Sequence, residues 1–393
     1  MKNAVFVLVL AFVLAGCTGS LPTEPPIAAP NSGTTPTDLP CIPSGDQDAI
    51  NSRLQAEGDV AVLCPGAVFD LISPVVVSAA RQSIYTQGFP RDDTRATLRI
   101  ATPDLTTAVL MRDQNEAVLS SVIIDGGRTS LGPLPGWPLI YAGGYSDGQV
   151  IRDNKIMNTR SWTSLLLLEG QPDGQPCQNA LVEGNEIGPA GTSVTDDWAD
   201  GISLACTRST VRANVITDAT EGGIVVFGAL GSLIEDNTVR AETQTLLGGI
   251  KMVDFMAYKA DYSGTIVRNN VIDASGAVIR IGLAMGNRVW VCLPPDAIAA
   301  TLTGGTVTGN VLRGDKMQYG FAVDGVRDWT VTGNIDEARH SGTPSVDCNG
   351  QVASSPAGFL YNPLHAQGVF QPEFTQGSLD LALWAIAAPA PGE

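Results

Sequence analysis

The chain has 393 residues and a formal net charge of −17, yet only 16% of its residues are charged and 44% are hydrophobic. Such acidity argues against a nucleic-acid partner, because it repels phosphates, and the hydrophobic content is ample for a core, which argues against a disordered chain. No run of about 20 apolar residues follows the N-terminus, which excludes a helical membrane bundle, and 43 glycines with few charges point to many short strands and tight turns.

The chain opens MKNAVFVLVLAFVLAGCTGS. Lys2 supplies a positive start, and Ala4 to Leu14 is an apolar stretch too short for a permanent span. Leu14-Ala15-Gly16-Cys17 resembles a bacterial lipobox. That resemblance implies a lipoprotein signal peptide over 1–17. Cys17 becomes the lipidated first residue, and the exported protein is lipid-anchored at the cell surface or outer membrane. An ordinary signal peptide that contains a cysteine is the alternative. Residues 18–40 are rich in Pro, Thr, Ser and Gly without a hydrophobic period, so they read as an extended tether.

Export makes the other six cysteines, Cys41, Cys64, Cys177, Cys206, Cys292 and Cys348, read as disulfides, since an even count suits an oxidising compartment. Sequence order favours Cys41–Cys64, Cys177–Cys206 and Cys292–Cys348. A zinc site is the rival, and it lacks a CxxC; the two histidines, His340 and His365, fall late in the chain.

The folded part begins at Cys41. Ser44 or Asp46 can cap a short helix that presents Ala49, Ile50 and Leu54 on one face, and a strand containing CPG follows. Further on the chain repeats. VIRDNKI, LVEGNEI, TVRANVI, LIEDNTV, IVRNNVI, TVTGNVL and TVTGNID align on Asn154, Asn185, Asn214, Asn237, Asn270, Asn310 and Asn334. Each alternates apolar and polar residues, turns, and begins a second apolar run such as GISLA, GIVVF or GIKMV. A unit of two or three short strands cannot bury its own face, so neighbouring units must stack into one continuous core. The class is therefore all-β, a right-handed parallel β-helix, a single-stranded solenoid over 41–340 with a short N-terminal capping helix. The recurring asparagines are expected to bond coil to coil through their amides. Residues 341–393 leave the repeat and read as a capping tail, with LALWAI at 381–386 packing outside.

The capping segment and its CPGAVF strand resemble those of pectate-lyase-like β-helix proteins, over residues 44 to about 340. The resemblance implies the fold; lyases, hydrolases, epimerases and non-catalytic spikes share it.

In such a solenoid, chemistry sits in columns across coils about 4.8 Å apart. Aligning the GI pairs places Asp200, Gly222 and Gly248 before them and Ser203, Val225, Lys251 and then Arg280 after them, with Glu221 one coil from Asp200. Two of the five lysines, Lys251 and Lys259, fall beside Asp196, Asp197, Asp200, Glu221 and Asp254. Paired carboxylates on neighbouring coils suit glycosidic cleavage, in which one protonates the leaving oxygen and the other attacks C1 or activates water. Repulsion raises one pKa and a lysine lowers the other. The expected catalytic set is Asp200, Glu221, Asp197 and Lys251. The expected substrate contacts are Trp198, Asp254, Arg280, Lys259 and Tyr262, and Trp162, Phe255 and Tyr258 add aromatic surface for sugar faces. Each also has a bland role: Asp200 as a turn acceptor before Gly201, Glu221 as a solvated turn residue, Lys251 and Arg280 as a surface pair with Asp254, the aromatics as loop packing.

WADGISL followed one coil later by TEGGIVVF resembles the "ADGI … GDDG" coils of β-helix glucanases of the α-1,3-glucanase and mycodextranase type. The resemblance implies that Asp200 and Glu221 lie at a catalytic centre. Gly222 departs from it, standing where the family has a second acid, so Asp197 would have to compensate.

Three functions follow: hydrolysis of an extracellular polysaccharide; lysis or epimerisation of a uronate polymer, with Lys251, Lys259, Arg280 or Tyr262 as base and calcium held by Asp196, Asp197, Asp200 or Asp254; or a non-catalytic surface binding protein. The net charge tilts the choice towards a neutral glycan. No phosphate loop or redox motif occurs, so no cofactor is expected apart from calcium in a lyase.

Overall fold

The computed structural model describes residues 39–169, 177–254, 260–290, 301–344 and 354–377. The leader with Cys17, most of the tether, Phe255, Tyr258, Lys259, Cys292, Cys348 and residues 381–386 lie outside the described residues.

A one-turn helix, Gln47–Asn51, opens the fold. Asp46 caps it, its carboxylate accepting from the amides of Asp48 and Ala49. Ile50 and Leu54 are buried against the first coil, and the chain just before the helix bridges to Leu63 and Phe69. The helix therefore closes an end that would otherwise expose strand edges.

From Val60 onward the chain winds through three sheets in turn, of 12, 10 and 11 strands, and every strand pair among the described residues is parallel. One such turn of chain is a coil. The strands are short and their burial alternates on the first two faces, as in Leu181–Glu183 and Thr210–Arg212, where only the central residue is buried. Those central residues fill one core that runs the length of the solenoid. Burial of aliphatic side chains is the main force joining the coils.

The asparagine column is continuous. Asn154, Asn185, Asn214, Asn237, Asn270, Asn310 and Asn334 are buried, and the amide of each of the first six donates to the carboxamide oxygen of the next at 2.9–3.0 Å. Each also donates to a strand carbonyl, so no buried donor is wasted. The residue before each of the seven is left-handed: Asp153, Gly184, Ala213, Asp236, Asn269, Gly309 and Gly333. That requirement explains the run of Asp, Asn and Gly at this position, with Ala213 the one residue ill-suited to it.

The ladder ends on Gln371, which accepts from Asn334. The strands Phe359–Tyr361, Ala366–Phe370 and Thr375–Gln376 join the same sheets. The solenoid thus extends beyond the boundary expected at 340. Glutamine in place of asparagine hid the last coil. Cys41–Cys64 and Cys177–Cys206 are disulfides, each tying one coil to its neighbour.

Candidate active site

The third sheet carries the polar cluster. Its strands Asp200–Leu204, Gly222–Val226, Leu246–Met252, Ile279–Met285 and Met317–Val323 are stacked in that order. Register aligns Ile202, Ile224, Ile250, Leu283 and Phe321, which face the core. A glycine precedes each. A β-carbon at Gly223 would lie 2.4 Å from Val239 Cγ1 and 2.5 Å from the Gly249 carbonyl, so this column also turns inward and only glycine fits. Two inward positions in a row bend the strand. Residues on either side of the bend then face outward, and Val225, Ile281, Ala284, Tyr319 and Ala322 form a second apolar cluster outside the sheet.

Lys251 belongs to this outer face, yet it is only 1% exposed. Its side chain runs back across Gly248 and Gly222, where added β-carbons would meet it at 2.8 and 2.5 Å. Its ammonium ends between two carboxylates, 3.3 Å from Asp200 Oδ1 and 3.2 Å from Glu221 Oε1. Trp290, just past the 3-10 turn Asn287–Val289, covers it, with the ring centroid 3.8 Å from Nζ. A desolvated ammonium over an indole face is attracted to the ring quadrupole.

The carboxylates differ. Glu221 keeps 23% of its side chain exposed, whereas Asp200 keeps 4%. Asp200 Oδ2 accepts from the Ser203 hydroxyl at 3.0 Å, and Ser203 bonds to Thr163 one coil earlier at 2.9 Å. Asp200 Oδ1 faces the ammonium without hydrogen-bond alignment. Burial pushes the Asp200 pKa up to about 7; Lys251 opposes the rise and Glu221 adds to it. One ammonium neutralises one of two carboxylates, and the drier one is left to hold the proton.

The other expected residues do not converge here. Asp197 is 3.4 Å from Arg128 and accepts from Thr195, so it does not replace the acid missing at 222. Tyr262 is fully buried, donates to the Val226 carbonyl and packs on Trp329. Its hydroxyl pKa is raised well above the ordinary tyrosine value by burial. It is a core residue, neither a base nor a substrate contact. Asp254 is also fully buried, and its carboxylate accepts from the Ala260 amide. Trp198 is half-buried against the outer apolar cluster. Arg280 does not follow Lys251 in register; Ala284 does. Arg280 lies three residues before Leu283, as Glu221 lies three before Ile224, and it donates to Gln318 at 3.1 Å. Burial lowers its pKa. Asp196 is exposed, and among the described residues no group of three or more His, Cys, Asp or Glu converges on a metal position. Trp290 went unread in the sequence because it lies outside the repeats, and the aligned Gly222 did not by itself show that Lys251 crosses it.

Residues 139–336, half of the chain, match the right handed beta helix region family. The chain belongs to that family. A search of curated proteins returned no match. Among solved structures, endopolygalacturonase I of Stereum purpureum is similar with a TM-score of 0.53 at 11% identity, covering 85% of this chain and 99% of that one. PfbA, a surface adhesin of Streptococcus pneumoniae, gives 0.45 at 11% identity over 77% and 89% of the two chains. The catalytic unit of an alpha-1,3-glucanase from Streptomyces thermodiastaticus gives 0.41 at 14% over 86% and 68%. At such identities the likeness is one of β-helix fold, and chemistry must be argued from the site.

Proposed function

We propose that this protein is a carbohydrate-active enzyme that hydrolyses glycosidic bonds of an extracellular polysaccharide, with Asp200 and Glu221 as the carboxylate pair. The observation that carries this is their unequal sharing of one ammonium. Asp200, at a pKa of about 7, keeps a proton to give to the leaving oxygen. Glu221, the more exposed, faces the side from which a sugar arrives. Lys251 touches both carboxylates, at 3.3 and 3.2 Å, so the pair stands close enough to act on one glycosidic bond, with Asp200 as acid and Glu221 as nucleophile at C1 or as base to an attacking water. Lys251 and Trp290 position both groups. The β-helix fold it shares with a polygalacturonase is consistent with this, and the disulfides suit an exported protein. Anchoring through lipidated Cys17 is part of the same proposal, and palmitate labelling lost in Cys17→Ser checks it.

Arg280 supports a second reading. Its guanidinium donates to the neutral amide of Gln318 at a position in register with Glu221, which would suit a carboxylate on a uronate polymer. Lyase or epimerase chemistry is then the alternative.

The test is product analysis across neutral and acidic polysaccharides. New reducing ends without an unsaturated product support hydrolysis. An unsaturated uronate product supports the lyase, and no turnover on any of them overturns both in favour of a binding protein.

A further inference from the structure

The outer face of the third sheet does not end at Asp200. Counting three residues back from the aligned positions Ile140, Leu165, Ile202 and Ile224 gives Trp137, Trp162, Ala199 and Glu221. The two tryptophans thus occupy equivalent edge positions on successive coils leading up to Glu221. They are 60% and 40% exposed, whereas Trp290 over Lys251 is 2% exposed. Large exposed indoles are costly to leave in water and mark contact surfaces.

Trp137 is held rigidly. Its ring stacks on Tyr141 with centroids 5.2 Å apart and planes 18° from parallel, and its carbonyl accepts from Ser161 of the next coil at 2.7 Å. Arg112 lies over the Tyr141 ring, 5.4 Å from the centroid, and beside Asp113 at 3.7 Å. Together they border an open groove of about 580 Å³. Its floor is Val76, Leu110 and Tyr141, one aligned column. The same column continues through Leu166 to Ser203, the residue bonded to Asp200, and on to Lys251. The Tyr141 end of the groove and the carboxylate pair therefore share one track, two coil spacings (about 10 Å) to Asp200 and three (about 14 Å) to Glu221.

We infer that this track, from the Trp137–Tyr141 platform past Trp162, is a binding lane for an extended glycan chain whose scissile bond lies at Glu221. The inference rests on the function proposed above and assigns that site's substrate a direction: the chain lies along the solenoid axis, with several rings on the N-terminal side of the cleavage point. A pyranose presents an apolar C–H face and a rim of hydroxyls. The lane presents flat indole faces with a fringe of Arg112, Asp113 and Gln114 to donate to and accept from that rim.

The experiment is calorimetric titration of the full-length Asp200→Asn protein with hexasaccharides of α-glucan, β-glucan and galacturonan, and with the matching disaccharides. One hexasaccharide is expected to bind. Trp137→Ala and Trp162→Ala, each added to that protein, should weaken it about tenfold, Trp137→Phe should restore most of the loss, and disaccharide binding should not change. Both tryptophans are exposed, so thermal midpoints should stay unchanged. Binding that ignores both substitutions overturns the lane, as does failure of every hexasaccharide to bind. So does concentration-dependent dimerisation abolished by Trp137→Ala without glycan binding, which would make the groove a contact between copies. Binding does not require turnover. If Trp137 matters for binding and Asp200→Asn leaves hydrolysis intact in a parallel assay, the proposed function fails and the lane stands; the opposite pattern sinks the lane alone.

Discussion

A β-carbon on Gly222 would lie 2.5 Å from Cε of Lys251 and 2.8 Å from Oδ1 of Asp200. The lysine reaches its two carboxylates only because this position has no side chain. The glucanase-like motif has a second acid here. Restoring it as Gly222→Asp, or adding only a methyl as Gly222→Ala, should expel the Lys251 ammonium from its place under Trp290. Activity on any cleaved polysaccharide should fall about 100-fold, as expected for misplacement of catalytic groups, while circular dichroism still reports the β-helix.

Lys251 is the counter-ion of two buried or half-buried acids. Lys251→Met should lower stability by about 3–5 kcal/mol, because it takes the ammonium from Glu221 and pushes the Asp200 pKa still higher. Adding Asp200→Asn should recover much of that loss, because an amide spares the fold the cost of protonating the driest acid. Denaturant midpoints of the two single variants and the double variant check this; additive losses would contradict the coupling.

The raised Asp200 pKa sets the sign of a pH effect. Between about 3.8, its ordinary value, and about 7, the folded protein holds a proton that the unfolded chain has lost. Stability from this group is therefore present at the acid end of that window and declines as pH rises through it. Activity that needs the proton on Asp200 should decline as pH passes about 7. In Asp200→Asn this slope in thermal midpoint should vanish. A wild-type midpoint that rises through the same window on account of Asp200 would contradict the assignment.

The amide column predicts a local stability map. Asn237 accepts from Asn214 and donates to Asn270 and to the Val211 carbonyl. Asn237→Ala strands several buried partners and should cost about 2–4 kcal/mol. Ala213→Gly, at a left-handed turn, should instead stabilise by about 0.5–1 kcal/mol. Hydrogen exchange of the flanking coils and denaturant midpoints would show both effects.

The β-helix was legible because its signal is repeated: seven asparagines at the same turn, each followed by an apolar run, leave few other folds. The convergence of Asp200, Glu221 and Lys251 was legible from the shared GI register of three coils. What failed were inferences from nearness in sequence. Asp254, three residues after Lys251, is fully buried and accepts from the Ala260 amide. Tyr262 reads as polar surface but closes the core with its hydroxyl on a carbonyl. Trp290 was illegible because a side chain that folds over from a later coil leaves no periodic trace. The indole edge leading from Trp137 through Trp162 was invisible for a related reason, since its alignment depends on turns of unequal length.

The most direct measurement is the rate of Asp200→Asn and Glu221→Gln on a polysaccharide the wild type cleaves. Each should lose about a thousandfold or more in kcat with the fold intact, as expected for a general acid and for a nucleophile or base. Full activity in both would show that the carboxylates sharing Lys251 are structural and that the chemistry lies elsewhere.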